Sequence, residues 1–215
     1  MATAVVGLGA GGHARVLIEI LQQDPRYELV GLLDRAPELA GERVLGVPVL
    51  GDDALLPALR ARGVAHFVVG VGSTGDGSAR RRVYEHALGL GLRPVSAIHP
   101  AAVVSPSAAL GPGATLMALA AINAAAQLGE HVIVNTGSIV GHDCRLEAHV
   151  HIATGARLAG GVWVGEGAHV GIGAVVRQGI RIGAGALVGA GAVVVKDVRE
   201  RTTVAGNPAR PLATR

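Results

Sequence analysis

The sequence predicts an α/β domain followed by a parallel β-helix, and three observations support this order. Predicted strands alternate with predicted helices over the first 95 residues, which is typical of a small parallel sheet with helices on both faces. A glycine-rich turn joins the first predicted strand to the first predicted helix. Starting at His99, sixteen consecutive hexads each end in Val, Leu or Ile without an insertion, which is the hexapeptide signature of a parallel β-helix.

Hydrophobic periodicity predicts the elements of the first domain in order. TAVVGLG and ELVGLLD are predicted strands, separated by a helix in HARVLIEILQQD. GVPVLGDDALLPALRARG predicts a short strand and then a helix. AHFVVGVG predicts another strand, and SARRRVYEHALGLG a helix ended by Gly89 or Gly91.

The hexads predict slightly more than five triangular coils, since three hexads make one coil. The last residue of each hexad points into the axis, and small residues occupy the bends. The register breaks at VKDVRE, where Glu200 takes the sixth place. We therefore predict domains at 1–95 and 96–200, with a C-terminal tail at 201–215.

Composition excludes several classes of protein. The chain of 215 residues has 33 Gly, four aromatic residues and a single cysteine, Cys144. An intrachain disulfide is impossible, and no secretory signal is recognised, so we predict a cytoplasmic protein. The apolar run ATLMALAAINAAAQL is too short to span a membrane. A net charge of +3 suits phosphorylated small molecules, and without interleaved aromatic residues it does not indicate nucleic acid.

The N-terminal stretch VVGLGAGGHARVLIEILQ has the outline of a dinucleotide-binding turn. Gly7, Gly9 and Gly12 form G-x-G-x-x-G, and Asp34 ends the next apolar run. Free N–H groups at the start of a helix form an anion site. Fewer than 100 residues precede the β-helix, so NAD is disfavoured and a phosphorylated substrate is the preferred ligand.

Four motifs carry a resemblance to a known family over essentially the whole chain: GAGGHA, SAIHPAAVVSPSA, NTGSIVGHDC and AGNPAR. The chain resembles the sialic acid O-acetyltransferase family of hexapeptide-repeat acyltransferases. Within it, the chain is most similar to N-acetyltransferases of nucleotide-linked amino sugars, of the bacillosamine-pathway UDP-4-amino-sugar or GDP-perosamine type, which serve surface polysaccharide or glycan biosynthesis. The resemblance implies a Rossmann-like first domain, a left-handed β-helix, acetyl-CoA as donor, no metal, and a homotrimer with sites at the subunit interfaces.

The resemblance implies a catalytic pair in GHDC. Attack of an amine on a thioester needs a base, and imidazole is ordinarily basic near neutral pH. His142 matches the family's proton acceptor, and Asp143 matches the acidic residue that raises its basicity. Consecutive strand residues face opposite ways, so the pairing requires a bend. Glu147 is the alternative carboxylate.

Further positions match acetyl-CoA contacts of the family: Asn135, His151, Gly160, Ile172, Gly189 and Ala190. Small side chains let a pantetheine arm lie against the backbone, although glycine at a β-helix corner has its own structural reason. Stacked histidines follow from the 18-residue coil, and we expect His131, His149 and His169 to form a polar ladder on an outer face. Basic residues near the C-terminus either hold CoA phosphates or form a solvated face: Lys196, Arg199, Arg201 and Arg210.

The nucleotide-sugar acceptor is implied to bind the first domain. The matching positions are Gly11, Gly12, His13, Asp34, Arg35 and Gly72. His13 is placed to hydrogen-bond a phosphate, and Asp34 a ribose or base hydroxyl.

Other functions stay open. The acceptor could be a sialic acid hydroxyl, and the nucleotide is undetermined. A zinc enzyme of the γ-carbonic anhydrase type would use His142, His149 and His151. A non-catalytic protein that binds nucleotide sugars is the remaining alternative.

Overall fold

A computed structural model describes residues 2–212 of the chain and divides into two compact units. The first runs up to Ser73 and includes Ser78–Ala97; the second contains Thr74–Gly77 and continues from Ile98. This division falls close to the predicted limit at residue 95. Residue 1 of the predicted first domain and residues 213–215 of the predicted tail lie outside the described residues.

The first unit is a parallel sheet flanked by helices. Its elements are β1 Thr3–Leu8, α1 Gly12–Gln22, β2 Tyr27–Leu33, β3 Arg43–Val44, β4 Val47–Gly51, α2 Leu56–Ala61, β5 His66–Val69, α3 Ser78–Gly89 and β6 Arg93–Pro94, with 3-10 turns at Pro37–Leu39 and Asp53–Leu55. The strand order is β3-β4-β2-β1-β5-β6, and the pairs are parallel except β3 with β4.

Alternating residues of the central strands bury opposite faces of this sheet. Val5 packs with Leu17 of α1 on one side. Phe67 packs with Tyr84 of α3 on the other, at 5.5 Å between ring centroids. The prediction of helices on both faces is confirmed. The short strand predicted in GVPVLGDD is β4. Its antiparallel partner β3 was not predicted, because a strand of two residues leaves too short a pattern.

The second unit is a stack of two-residue strands. These are β7 Ala97–Ile98, β8 Val103–Val104, β9 Ala109–Leu110, β10 Thr115–Leu116, β11 Ala121–Ile122, β12 Gln127–Leu128, β13 Ile133–Val134, β14 Ile139–Val140, β15 Arg145–Leu146, β16 His151–Ile152, β17 Arg157–Leu158, β18 Trp163–Val164, β19 His169–Val170, β20 Val175–Val176, β21 Arg181–Ile182, β22 Leu187–Val188 and β23 Val193–Val194, followed by β24 Thr203–Ala205 and β25 Arg210–Pro211.

From β8 onward these strands form three sheets, which we call faces. The first face contains β10, β13, β16, β19, β22, β24 and β25; the second contains β8, β11, β14, β17, β20 and β23; the third contains β9, β12, β15, β18 and β21. Paired residues are 18 apart, as in Ile139 with Arg157. The last residue of each hexad from Leu116 onward is buried in one continuous aliphatic core. The parallel β-helix predicted from the hexads, and the left hand implied by the family resemblance, are confirmed.

Four-residue turns form three corners between the faces. Corner one joins the first face to the second and includes turns 135–138, 153–156, 171–174 and 189–192. Corner two joins the second face to the third and includes 141–144 and 159–162. Corner three joins the third face to the first and includes 129–132 and 147–150. The third residue of these turns has a positive φ wherever it is glycine, as Gly161 at 65°.

The segment after residue 200 was predicted to be a tail, and the structure shows strands in it. β24 pairs in parallel with β22, and β25 pairs antiparallel with β24. This part of the chain therefore extends the first face. Within residues 2–212, no helix has the length and apolar character needed to cross a membrane.

Candidate active site

A histidine and an aspartate meet on corner two. Nδ1 of His142 lies 2.7 Å from Oδ2 of Asp143, and their side chains are 61% and 67% exposed. Asp143 has a φ of 57° and takes the turn place that glycine usually holds. Aspartate tolerates this left-handed conformation better than most residues. The turn supplies the bend that the predicted pairing required, so the two consecutive side chains share one corner.

The pairing fixes which nitrogen of His142 can act as a base. An ionised carboxylate only accepts hydrogen bonds, so Nδ1–H of His142 donates to Asp143 and Nε2 keeps its lone pair. In the next coil, a Cβ at Gly160 would overlap Cε1 and Nε2 of His142. Gly160 was predicted to contact acetyl-CoA; the structure gives it the further role of leaving room for the His142 ring.

Glu147, the alternative carboxylate, is engaged elsewhere. Its Oε1 accepts hydrogen bonds from Nε of Arg145 at 2.8 Å and from Nε1 of Trp163 at 3.2 Å. The guanidinium of Arg181 lies over the Trp163 ring, 4.3 Å from its centroid. Asp143 is therefore the carboxylate that contacts His142.

Cys144 follows the histidine but is buried inside the coil. Its Sγ–H donates to the carbonyl oxygen of Ala159 at 3.1 Å. Burial raises the pKa of the Cys144 thiol. A buried, protonated thiol is a poor nucleophile, so Cys144 serves packing.

The predicted acetyl-CoA positions other than Gly160 group on or beside corner one. Nδ2 of Asn135 lies 3.4 Å from Nε2 of the buried His151. Ile172 is 61% exposed, and the exposed Ala190 lies one coil further on. A Cβ at Gly189 would come within 3.0 Å of Cβ of Ala205, so close packing accounts for this glycine independently of any ligand.

Within one chain, the second face separates these residues from His142. Corner one carries Asn135, Ile172 and Ala190, whereas corner two carries His142 and Gly160. The structure therefore brings together His142 with Asp143, and Asn135 with His151. It does not bring these two groups to one place.

Two pairs of histidines in the β-helix stack as the coil length predicts, but all four side chains are buried and do not form an exposed ladder. Nδ1 of His131 lies 3.0 Å from Nδ1 of His149 on corner three, and His151 and His169 have ring centroids 4.8 Å apart on the first face. The expectation of an outer-face ladder is corrected on this point. The three candidate zinc ligands lie on two corners and a face. Within residues 2–212, no group of three or more His, Cys, Asp or Glu side chains is arranged to hold a metal ion.

The glycine-rich turn of the first unit leads directly into α1. Gly9 has a φ of 106°, and a Cβ there would come within 2.9 Å of the backbone of Gly70. Gly11 is the N-cap of α1, and open space surrounds both Gly11 and Gly12. N–H groups in the first turn of a helix have no partner within the helix, so this turn has the arrangement that the predicted anion site requires.

His13 lies in the first turn of α1. Its Nε2 is buried and has no hydrogen-bond partner among the described residues. Burial, and secondarily the positive charge of Arg80, lowers the pKa of His13 to about 4. A Cβ at Gly72 would lie 3.3 Å from Cβ of His13, so these two predicted positions are neighbours. His13 is a neutral imidazole at neutral pH and offers a ligand a hydrogen bond without a charge.

Asp34 ties the glycine-rich turn to the end of β2. Its Oδ2 accepts from the backbone N–H of Ala10 at 2.7 Å, and its Oδ1 from that of Ala36 at 3.0 Å. Beside it lies a pocket of about 160 Å³. The lining residues are Gly9, Leu33, Asp34, Arg35, Asp53, Val71, Ala79, Arg82 and Val83.

Sequence reasoning missed Asp53 and Arg82 in this pocket. The signal for Asp53 was a second acidic group, GDD, directly after an apolar run. No comparable signal marks Arg82. Of the basic residues near the C-terminus, Lys196, Arg199, Arg201 and Arg210 form no salt bridge with any described residue.

The fold and the candidate site together define a class of protein. A β-helix of hexapeptide repeats that carries an exposed His–Asp pair on a corner is the architecture of a hexapeptide-repeat acyltransferase. Residues 5–87 match the family model described as the PglD N-terminal domain.

Similar proteins narrow the class to one family. A mutant of perosamine N-acetyltransferase from Caulobacter crescentus, solved with CoA and GDP-perosamine, is 44% identical, covers 98% of this chain and 97% of its own, and has a TM-score of 0.92. The acetyltransferase domain of PglB from Neisseria gonorrhoeae FA1090, solved with acetyl coenzyme A, is 40% identical over 99% of this chain and 100% of that one, with a TM-score of 0.90. The chain belongs to the nucleotide-linked amino-sugar N-acetyltransferases.

A curated relative agrees over a shorter stretch. GDP-perosamine N-acetyltransferase of Escherichia coli O157:H7 is 35% identical over 141 residues, which is 64% of this chain and 62% of that protein. The chain therefore matches less than two thirds of the length of this relative. The family resemblance predicted from the sequence motifs is confirmed.

Proposed function

We propose that this protein transfers the acetyl group of acetyl-CoA to the amine of a nucleotide-linked amino sugar, with His142 as general base. The observation that carries the proposal is the exposed His142–Asp143 pair. Nε2 of His142 faces the space that is open because Gly160 has no side chain. Relatives solved with CoA and GDP-perosamine, or with acetyl coenzyme A, support the two ligands. A cytoplasmic location is part of this proposal.

The chemistry follows from the position of the proton. Acetyl-CoA supplies an acetyl thioester, whose carbonyl carbon is the electrophile. As the sugar nitrogen forms its bond to this carbon, Nε2 of His142 accepts a proton from the nitrogen. The carbon–sulfur bond then breaks, and CoA leaves as a thiol after its sulfur takes up the proton from the His142 imidazolium. Asp143 holds Nδ1–H and stabilises the imidazolium that forms. No side chain becomes acylated, in agreement with the buried Cys144.

Corner one fits a narrow thioester arm. Exposed Ala190 and half-buried Gly189 leave the backbone accessible, and Asn135 offers a polar group beside them. A pantetheine arm can lie there against small side chains and hydrogen-bond to the corner. The basic residues near the C-terminus, which form no salt bridge with any described residue, are available to the phosphates of CoA.

The first unit is proposed to hold the acceptor. The N-terminus of α1, at Gly11 and Gly12, is available to a diphosphate, and Nε2 of His13 is a buried donor or acceptor with an unused hydrogen bond. Gly72 keeps space beside His13. Asp34 and Arg35 line the adjoining pocket.

A homotrimer would complete the active site. The second face presents three exposed aliphatic side chains, those of Val103, Ile139 and Val175. The exposed Arg157 lies between the last two in the ladder. A second copy of the chain would remove the aliphatic side chains from water. If three β-helices turn this face toward a threefold axis, corner one of each meets corner two of its neighbour. One protomer would then supply His142, and its neighbour Ile172 and Ala190.

Turnover of a substrate panel tests the activity. Acetyl-CoA consumption is measured with UDP- and GDP-linked amino sugars, with free sialic acid as the hydroxyl acceptor. The proposal expects turnover with a nucleotide-linked amine and none with sialic acid. Turnover only with sialic acid would instead support the O-acetyltransferase alternative.

Complementation between inactive variants tests the shared site. His142→Ala removes the base, and Ala190→Trp fills corner one. Neither variant is active alone, but random mixed trimers recover about one quarter of the sites, because an intact corner one then meets an intact His142. Mixtures without activity would place both halves of the site in one chain.

A further inference from the structure

The pocket of the first unit lies where a parallel sheet ordinarily binds ligands. Gly9, Asp34, Asp53 and Val71 follow the carboxyl ends of β1, β2, β4 and β5. The chain runs from β1 to β2 on one side, and β5 lies on the other, so the end of β1 is a topological switch point. A volume of about 160 Å³ is below that of a pocket for a drug-sized ligand. It therefore suits one ring system of a larger ligand.

The two carboxylates of this pocket differ in whether an oxygen is still available to accept a hydrogen bond from a ligand. Both oxygens of Asp34 accept backbone N–H groups. Oδ2 of Asp53 accepts from Nε and Nη2 of Arg35, each at 3.3 Å, and Oδ1 accepts no hydrogen bond from any described residue. The side chain of Asp53 is 18% exposed and that of Arg35 is 77% exposed. Asp53 is therefore a sheltered carboxylate, oriented by Arg35, with an acceptor available to a ligand.

Strand order gives the position of Asp53 along a bound nucleotide. Neighbouring strands are about 4.8 Å apart. Asp53 follows β4, which lies two strands from β1, so it is about 10 Å from the glycine-rich turn measured across the sheet. A nucleotide whose diphosphate sits at the start of α1 then has its ribose near Asp34 and its base near Asp53.

We propose that this pocket binds a guanine base and that Asp53 determines the choice, with its two oxygens accepting hydrogen bonds from N1–H and N2–H of guanine. This inference rests on the proposed function, since it places the nucleotide of the acceptor in the first unit. Guanine presents two adjacent donors that match a carboxylate. Uracil presents a single N–H between two carbonyl oxygens, and these repel the carboxylate. Leu33, Val71 and Val83 supply apolar contacts for the ring.

Binding of free nucleotides tests the base without requiring catalysis. Titration calorimetry on the whole protein compares GDP, inosine diphosphate and UDP. Inosine diphosphate lacks only the 2-amino group of guanine, so its Kd is expected to be about tenfold weaker, equal to about 1.4 kcal/mol. The Kd of UDP is expected to be about 100-fold weaker than that of GDP, because both donor contacts are replaced by repulsion.

Two matched variants identify the residue. Asp53→Asn is expected to bring the Kd values of GDP and inosine diphosphate to within about twofold of each other. Asp52→Asn makes the same change of charge at the adjacent position, where Oδ1 accepts from the N–H of Ala54 and the residue lies outside the pocket lining. This control is expected to keep the tenfold preference for GDP.

Each contrary result would overturn a different part of the proposal. Equal Kd values for GDP and UDP in the wild type would refute guanine selection, while turnover of a nucleotide-linked amine would leave the proposed function intact. If Asp53→Asn weakens the binding of all three nucleotides by the same factor, then Asp53 contacts the ribose. That result would refute the proposal that Asp53 selects the base. Absence of nucleotide binding together with absence of amino-sugar turnover would overturn the proposed function as well.

Discussion

Replacing Gly160 with alanine tests whether the His142 ring lies where the structure places it. The added methyl group would overlap Cε1 and Nε2 of His142, and the three atoms nearest to that methyl belong to this ring. The His142 side chain is 61% exposed, so it can swing toward solvent at little cost to the fold. The swing separates His142 from Asp143 and displaces Nε2 by about 1 Å, which is enough to cost about 100-fold in rate.

Steady-state kinetics and thermal unfolding measure the two consequences separately. Release of the CoA thiol gives kcat, which we expect to fall about 100-fold in Gly160→Ala, with the KM of the amino sugar changed by less than about threefold. Tm is expected to stay within about 2 °C, because Gly160 does not require a positive φ. A kcat within twofold of wild type would refute this placement of the His142 ring.

Gly161 provides the matched control next to it. Its φ is 65°, and a Cβ there would meet nothing within 4 Å. Gly161→Ala therefore strains the backbone by about 1 kcal/mol without placing an atom near the His142 ring. We expect Tm to fall by about 2–4 °C and kcat to stay unchanged, the reverse of the result for Gly160→Ala. A similar loss of kcat in both variants would assign the effect to general distortion of the corner.

Three further predictions concern the catalytic aspartate, the buried histidine and the cysteine. Asp143→Gly relieves the left-handed conformation, so Tm holds or rises while kcat falls about 10- to 100-fold; an unchanged kcat would remove Asp143 from the mechanism. The pKa of His13 is lowered from 6.5 to about 4, so the unfolded chain takes up this proton first and stability falls as pH drops from about 6.5 toward 4, by about 3 kcal/mol in all. Urea unfolding at pH 7.5 and pH 5 should show about 2 kcal/mol of this loss in wild type and a smaller one in His13→Asn; equal losses would contradict it. Cys144→Ala should cost about 1 kcal/mol of stability and leave kcat within twofold, and a tenfold loss of kcat would give the thiol a role in the reaction.

The β-helix could be predicted almost completely, because its pattern is local. Each aliphatic residue at the sixth place from Leu116 onward, such as Val134 or Val140, is buried, and the 18-residue coil predicts the stacking of His151 on His169. What the repeat did not predict is the environment of the stack. Whether His151 is buried or exposed depends on packing between segments far apart in the sequence, which a repeat of six residues does not encode.

The site could be predicted in its chemistry but not in its arrangement. His142 and Asp143 stand out by interrupting a run of small residues, and the left-handed turn that lets them meet follows the glycine periodicity of the neighbouring coils. Gly160 gains its role beside His142 only through the stacking of coils. Asp53 comes close to Asp34 only through the strand order β4-β2-β1. Such contacts depend on tertiary structure, so no spacing rule could indicate them.

The most direct test of His142 as the general base is kcat of His142→Asn with acetyl-CoA and a nucleotide-linked amino sugar, both at saturation. We expect a loss of about 10²- to 10⁴-fold, with the KM values of both substrates and Tm close to those of wild type, because the side chain is exposed and packs against little. A kcat within tenfold of wild type would contradict the assignment of His142 as the base.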